Sequence, residues 1–184
     1  MTRRKLDQYM TPAGEVASLL ERVAIRGRVL EPCAGNGELA MAITKGVSLA
    51  TDRPMPVVTN DLDLQFPADY HVDARCVELY QDVRPQWVVT NPPFNQALDI
   101  FRAIIEYGPT GIALLLRLSW LEPTYERSAF PVALRPSRMI VLPRISFNGN
   151  GRTDSVTCAW FVWEKFHGSQ SYAHGTVSPV LKRR

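Results

Sequence analysis

Apolar positions along the chain follow two alternating spacings. After Thr11-Pro12, residues Val16, Leu19, Leu20 and Val23 form one helical stripe, with Pro12 at the first helical position and Glu15 in the first turn. Gly27 ends that segment, and Val29-Leu30 reads as a short strand running into a tight glycine turn, Glu31-Pro32-Cys33-Ala34-Gly35-Asn36-Gly37. Helical spacing resumes from Leu39 to Lys45 and is closed by Gly46. A loop with Pro54 and Pro56 leads to a second strand, Val57-Val58-Thr59, which runs into Asn60-Asp61. No clear period follows until Trp87-Val88-Val89-Thr90, a buried-strand run halted by Asn91-Pro92-Pro93-Phe94. A helix over Ala97 to Tyr107 then places Leu98, Phe101, Ile104 and Ile105 on one face. Another strand, Gly111 to Leu116, and a long connection from Ser119 to Pro136 come next.

The last third has a different rhythm. Met139 to Leu142 and Ser155 to Trp163 read as strands, separated by the turn Asn148-Gly149-Asn150-Gly151. The strand–helix alternation before them predicts an α/β fold, with a mostly parallel sheet flanked by helices on both faces. The end adds an antiparallel hairpin. With no internal repeat and no linker, the expectation is one domain over residues 1–166 and a polar tail over 167–184.

Composition narrows the class. The chain has 184 residues, 46% hydrophobic and 21% charged, a globular balance that argues against wholesale disorder. The longest apolar run, Gly111 to Leu116, breaks at Arg117, far short of the ~20 residues a membrane helix needs. No hydrophobic segment follows Arg3, Arg4 and Lys5, so a secretory signal is not expected. The expectation is a soluble, cytoplasmic protein without a membrane partner. Net charge is +3, from 21 basic and 18 acidic residues, which tolerates a polyanionic partner without requiring one. The basic clusters at the two ends read as solvated tails. Cys33, Cys76 and Cys158 are widely spaced without a CxxC pair, and His71, His167 and His174 are scattered, so neither disulfide nor metal chemistry is expected.

The glycine turn is the first candidate site. Gly35-Asn36-Gly37-Glu38-Leu39-Ala40 fits G-x-G-x-x-A, in which glycines let a ligand approach the backbone at a helix N-terminus. A tight turn that merely needs glycine would use the same residues. Asp61 ends the next strand, about where an acidic residue grips ribose hydroxyls. Glu31 before the turn and Glu38 after it would repel a pyrophosphate. They suit a ligand carrying an ammonium and a sulfonium, which favours S-adenosylmethionine over NAD.

Asn91-Pro92-Pro93-Phe94 is the second. It follows a buried strand, at the carboxyl edge where ligands bind in parallel sheets. The Asn91 side-chain oxygen and the Pro92 carbonyl can each accept one hydrogen bond from an exocyclic amino group. Pro93 restricts Pro92 to an extended conformation and so aims that carbonyl. Phe94 offers a flat apolar face for a planar base or amide. Two acceptors on an aromatic amine localise its lone pair, so positioning and electrostatics can drive in-line methyl transfer without a catalytic His or Cys.

Together these motifs carry a resemblance. Leu30-Glu31-Pro32-Cys33-Ala34-Gly35-Asn36-Gly37 resembles the first motif of class I methyltransferases, especially those acting on nucleic-acid amino groups. Tyr9-Met10-Thr11-Pro12 is similar to the N-terminal motif that closes over the donor's methionine end. The order of motifs, with Asn-Pro-Pro-Phe last, is similar to that of the gamma group of DNA adenine methyltransferases, and small phage and prophage members in particular. The resemblance implies a Rossmann-like fold and S-adenosylmethionine as cofactor. It implies that Thr11, Glu31 and the backbone around Ala34 and Gly35 hold the methionine end, that Tyr9, Pro12, Pro32 and Gly37 also belong to the cofactor site, and that Asp61 binds the ribose. Asp73, with Asp69 as a rival, would hold the donor adenine, and Asn91 would border both donor and target.

The expected reaction is methyl transfer to the N6 amino group of adenine in DNA. RNA adenine methylation, or a non-catalytic donor-binding subunit, are the alternatives. Phe147, before the final strand, occupies the place of a late aromatic that packs on a flipped base in the gamma enzymes, although a hairpin core residue could sit there too. Arg135, Arg138, Arg144 and Arg152 surround that hairpin and could contact phosphate. Almost nothing follows Lys165, where gamma enzymes usually carry a target-recognition domain. Target choice is therefore expected from the Ser119–Pro136 connection, the Asn148–Asp154 turn, a homodimer partner or a specificity subunit.

Overall fold

The computed structural model describes residues 13–51, 57–122, 135–143, 157–164 and 176–179. Its elements are α1 (Ala13–Leu20), β1 (Val29–Glu31), α2 (Glu38–Thr51), β2 (Val57–Thr59), α3 (Val77–Val83), β3 (Trp87–Thr90), α4 (Ala97–Tyr107) and β4 (Gly111–Arg117). A 3₁₀ turn over Leu118–Leu121 follows, then β5 (Arg138–Val141), β6 (Cys158–Glu164) and β7 (Thr176–Pro179). They form one sheet in the order β2-β1-β3-β4-β6-β5-β7. The first four strands are mutually parallel, and β6 runs antiparallel to both β4 and β5. The parallel sheet and its late antiparallel hairpin are therefore as the hydrophobic pattern predicts.

Strand alternation divides the core into two layers. Trp87, Val89, Ala113, Leu115 and Trp160 pack on one face with Val16 and Leu19 of α1 and Leu39 and Ile43 of α2. Val88, Ile112, Leu114, Phe161 and Trp163 pack on the other with Leu79 and Tyr80 of α3 and Phe101 and Ile104 of α4. Fully burying a side chain such as Leu19 or Phe101 contributes roughly 1.5–3 kcal/mol, so both helix layers are firmly held. The Trp160 indole adds direction, donating to the Glu15 carbonyl at 2.9 Å and docking α1 on the sheet.

Three expectations need correction. α2 does not close at Gly46 but runs on to Thr51. Gly46 is a point of close approach, where an added Cβ would collide with Cδ1 of Leu20, so the glycine serves helix packing and not termination. The stretch without clear period holds α3, a short helix with Leu79, Tyr80 and Val83 buried and Arg84 in the left-handed region at its C-terminus. Finally, Thr176–Pro179, within the segment expected as a polar tail, pair in parallel with β5 at the sheet edge. Such pairing uses backbone groups and leaves no apolar alternation to read, and Pro179 fits an edge strand.

Candidate active site

The strand order reverses between β1 and β3. β1 leads to α2 on one face of the sheet, and β3 leads to α4 on the other. The loops after these neighbouring strands therefore diverge, opening a crevice at the carboxyl edge, where ligands bind in such sheets. The glycine turn leaves β1 on one side of that crevice, and Asn91-Pro92-Pro93-Phe94 leaves β3 on the other.

The glycine turn is built by hydrogen bonds to the end of β2. Asn60 N–H donates to the Glu31 carbonyl at 2.9 Å, and Ala34 N–H donates to the Asn60 carbonyl at 2.9 Å. The buried Asn60 side chain donates to the carbonyls of Pro32 and Val72, each at 2.9 Å, and accepts the Val72 amide at 2.9 Å. One side chain thus fastens three segments. Asp61 then accepts the Gly35 amide at 2.7 Å and the Asp63 amide at 2.8 Å. Gly35 and Gly37 sit at φ 51° and 79°, in the left-handed region, and a Cβ on either would project into open space. Conformation, not crowding, requires glycine at both.

Glu31 is the electrostatic centre of this half. It is 2% exposed, its carboxylate accepts the Ala40 amide in the first turn of α2, and its Oε2 has no hydrogen-bond partner. Burial holds its carboxyl well above the ordinary value; the Ala40 bond opposes this and the Asp61 charge adds to it. Cys33 follows the same logic. Its thiol is pushed up to about 12 by burial, opposed by Thr90, with Asp61, Glu31 and Asp73 adding. It is not a nucleophile at neutral pH. Those neighbours place the ends of β1, β2 and β3 and the Asp73 loop around Cys33.

The acidic residues beyond Asp61 divide their work. Asp69 Oδ2 accepts both the amide and the hydroxyl of Thr59, at 2.8 and 2.9 Å, and so secures the end of β2. Asp73 is forked by Arg75, with Nη2 to Oδ2 at 2.6 Å and the backbone amide to Oδ1 at 2.9 Å. Arg75 holds the Asp73 carboxyl below its ordinary range.

On the other side of the crevice Pro92 is buried, and Asn91, Pro93 and Phe94 are half-buried. The Pro93 carbonyl accepts the Gln96 amide at 2.9 Å, closing the turn into α4. The Arg117 guanidinium, from the end of β4, lies over the Phe94 ring, 4.4 Å from its centroid. Arg117, Asn60 and Thr90 received no role from the sequence. Arg117 has a signal in hindsight, as the one charge ending an apolar run, and Asn60 is a polar residue closing a strand.

Glu31, Pro32, Ala34, Gly35, Gly37 and Asp61 are thus assembled in one place, with Asp73 nearby and Asn91, Pro92, Pro93 and Phe94 across the crevice. Tyr9, Thr11, Pro12 and Phe147 lie outside the described residues, as do Arg144 and Arg152. Among the described residues no cluster of His, Cys, Asp or Glu could hold a metal ion. Among them, too, no helix is long and apolar enough to cross a membrane.

No protein-family model matches the chain, and no curated protein matches it in sequence. Solved structures do match in fold. The M protein of the type I restriction enzyme EcoKI aligns with TM-score 0.65 and 16% identity, over 86% of this chain and 44% of its own. The methyltransferase subunit of a type I restriction-modification system from Streptococcus thermophilus aligns with TM-score 0.63 and 13% identity, over 85% of this chain and 45% of its own. The 23S rRNA methyltransferase ErmE aligns with TM-score 0.53 and 12% identity, over 86% and 70%. The chain spans less than half the length of the two restriction-modification subunits. At these identities the likeness is one of architecture: the chain has the Rossmann-like α/β fold of class I methyltransferases.

Proposed function

We propose that the protein transfers a methyl group from S-adenosylmethionine to the exocyclic N6 amino group of adenine in DNA. The observation that carries this reading is Glu31, a buried carboxylate with an orphaned oxygen beside a glycine turn, across a crevice from Asn91-Pro92-Pro93-Phe94. An orphaned buried acceptor calls for a cationic donor, and the ammonium of the methionine end is one. A pyrophosphate would be repelled there. The donor residues therefore fit this cofactor better than a dinucleotide.

The bound donor supplies a methyl group made electrophilic by an attached sulfonium. The protein's share is binding and orientation. Glu31 takes the ammonium, with Pro32, Ala34, Gly35 and Gly37 shaping the turn, and Tyr9, Thr11 and Pro12 cover the methionine end. Asp61 meets the ribose. Asp73 is preferred to Asp69 for the donor adenine, because Asp69 is committed to Thr59, whereas the Asp73–Arg75 pair is half-exposed and costs little to rearrange. The Asn91 side-chain oxygen and the Pro92 carbonyl accept the two N–H bonds of the target amine and turn its lone pair toward the methyl. Phe94, with Phe147, stacks on the base, offsetting part of the cost of extruding it from a duplex.

The likeness to two restriction-modification methyltransferase subunits favours DNA and a specificity partner or second copy. The likeness to an rRNA methyltransferase supports the RNA reading with the same residues. Incubation with methyl-labelled donor and separate DNA, RNA and protein substrates tests the choice. Label entering DNA supports the proposal, and label entering only RNA or protein overturns it.

A further inference from the structure

Strand β4 reads Gly-Ile-Ala-Leu-Leu-Leu-Arg, and its one charge stands at its last position. Thr90, the end of β3, pairs with Leu114, so Arg117 lies three residues, roughly 10 Å, further along the carboxyl edge. That offset brings it level with the loop leaving β3. Its backbone is fixed from the β6 side, by pairing with Cys158 and by the next residue, Leu118, whose amide donates to the Thr157 carbonyl at 3.0 Å. The side chain therefore has a defined origin, and it lays its guanidinium on the Phe94 ring.

The contact comes with an unmet polar group. Arg117 Nε is buried without a hydrogen-bond partner, and among the described residues no ion pair neutralises the guanidinium. The large majority of buried polar atoms have a hydrogen-bond partner, and an exception calls for an explanation; here the guanidinium stacks on Phe94 while Nε is unmet. A planar cation over an aromatic ring resists rotation of that ring and keeps positive potential beside it, which suits a nucleotide and its phosphates.

We infer that Arg117 is a positioning residue for the target base, acting through Phe94. This rests on the proposed function, since Phe94 is the residue given to the base. An arginine acting through Phe94 loses its effect when the ring is gone, and that dependence is measurable.

The test is a double-mutant cycle on DNA methylation with Arg117→Met, Phe94→Leu and the double variant, with donor affinity followed by calorimetry. Arg117→Met alone lowers kcat/KM for DNA about three- to thirty-fold. Donor affinity stays within roughly twofold of the unsubstituted protein, and in the Phe94→Leu background the further loss is under about twofold. If Arg117→Met does not fold, Arg117→Lys carries the same cycle, because it keeps the stem and the charge and loses only the planar stack. Unchanged or increased kcat/KM, an equal loss in both backgrounds, or donor affinity falling in step overturns the inference. Failure of the unsubstituted protein to methylate DNA is a different result, and it overturns the proposed function itself.

Discussion

The Asp61 carboxylate accepts the Gly35 amide at 2.7 Å, tying the loop after β2 to the turn after β1 across 26 residues of sequence. Its other oxygen accepts the Asp63 amide at 2.8 Å. Asp61 therefore shapes the turn as well as presenting a carboxylate beside it. Asp61→Ala removes both bonds and is expected to cost at least about 1.5 kcal/mol of stability, the low end for a single hydrogen bond to a charged group. Urea unfolding measures that loss. Asp61→Asn keeps one acceptor oxygen and should retain part of it.

With Glu31 as the proposed site of the donor ammonium, donor binding is expected to depend on pH. Burial sets its carboxyl well above the unfolded value of 4.5. Between those two values the folded, donor-free protein holds a proton that the unfolded chain has released. The stabilising contribution of Glu31 is thus fully present below about 4.5 and lost as pH rises through the raised value. A bound ammonium favours the ionised form and reverses this preference. Donor affinity should therefore rise with pH through the raised Glu31 value, with proton release on binding. Calorimetric titrations in buffers of different ionisation enthalpy check the sign, and Glu31→Gln should weaken binding and flatten the dependence.

Gly35 and Gly37 are held at positive φ without steric neighbours. Replacement by Ala meets no collision but forces an L-residue into the left-handed region, at a cost of roughly 1–2 kcal/mol. Asn tolerates that region better than a β-branched residue. Donor affinity is expected to fall in the order Gly, Asn, Ala, Val at position 35, as read by calorimetry.

The contact of Gly111 with Trp87 is of the opposite kind. The two residues pair directly between β4 and β3, and a Cβ at Gly111 would enter the Trp87 ring. Because Trp87 is buried in the core shared by α1 and α2, its ring cannot swing aside. Gly111→Ala should destabilise the fold by about 1–3 kcal/mol through overpacking, visible as a lower Tm.

These contrasts show what the sequence makes legible. α4 has the limits its pattern predicts, because the Pro92-Pro93 turn and Gly108 in the left-handed region bound it and its apolar face is wide. The glycine turn and Asn91-Pro92-Pro93-Phe94 are legible because their chemistry is local, written in consecutive residues. Gly46 misleads, since whether a glycine ends a helix or admits a neighbour such as Leu20 depends on tertiary approach. α3 is hidden by its seven residues, too few for a period to stand out. Asn60 and Arg117 owe their roles to partners far away in sequence, and no local pattern carries that information.

In the proposed reaction Asn91 and Pro92 hold the amino group of adenine for methylation. The most direct measurement is to label DNA with methyl-tritiated donor, digest it and separate the nucleosides, using the unsubstituted protein and Asn91→Ala. For the unsubstituted protein the label is expected in N6-methyldeoxyadenosine. For Asn91→Ala the expectation is at least about a hundredfold slower labelling, the scale for losing one aimed group in an active site, with donor affinity largely kept. Label in another base, or Asn91→Ala labelling adenine at the original rate, would overturn the assignment of Asn91 and Pro92 to the target amine.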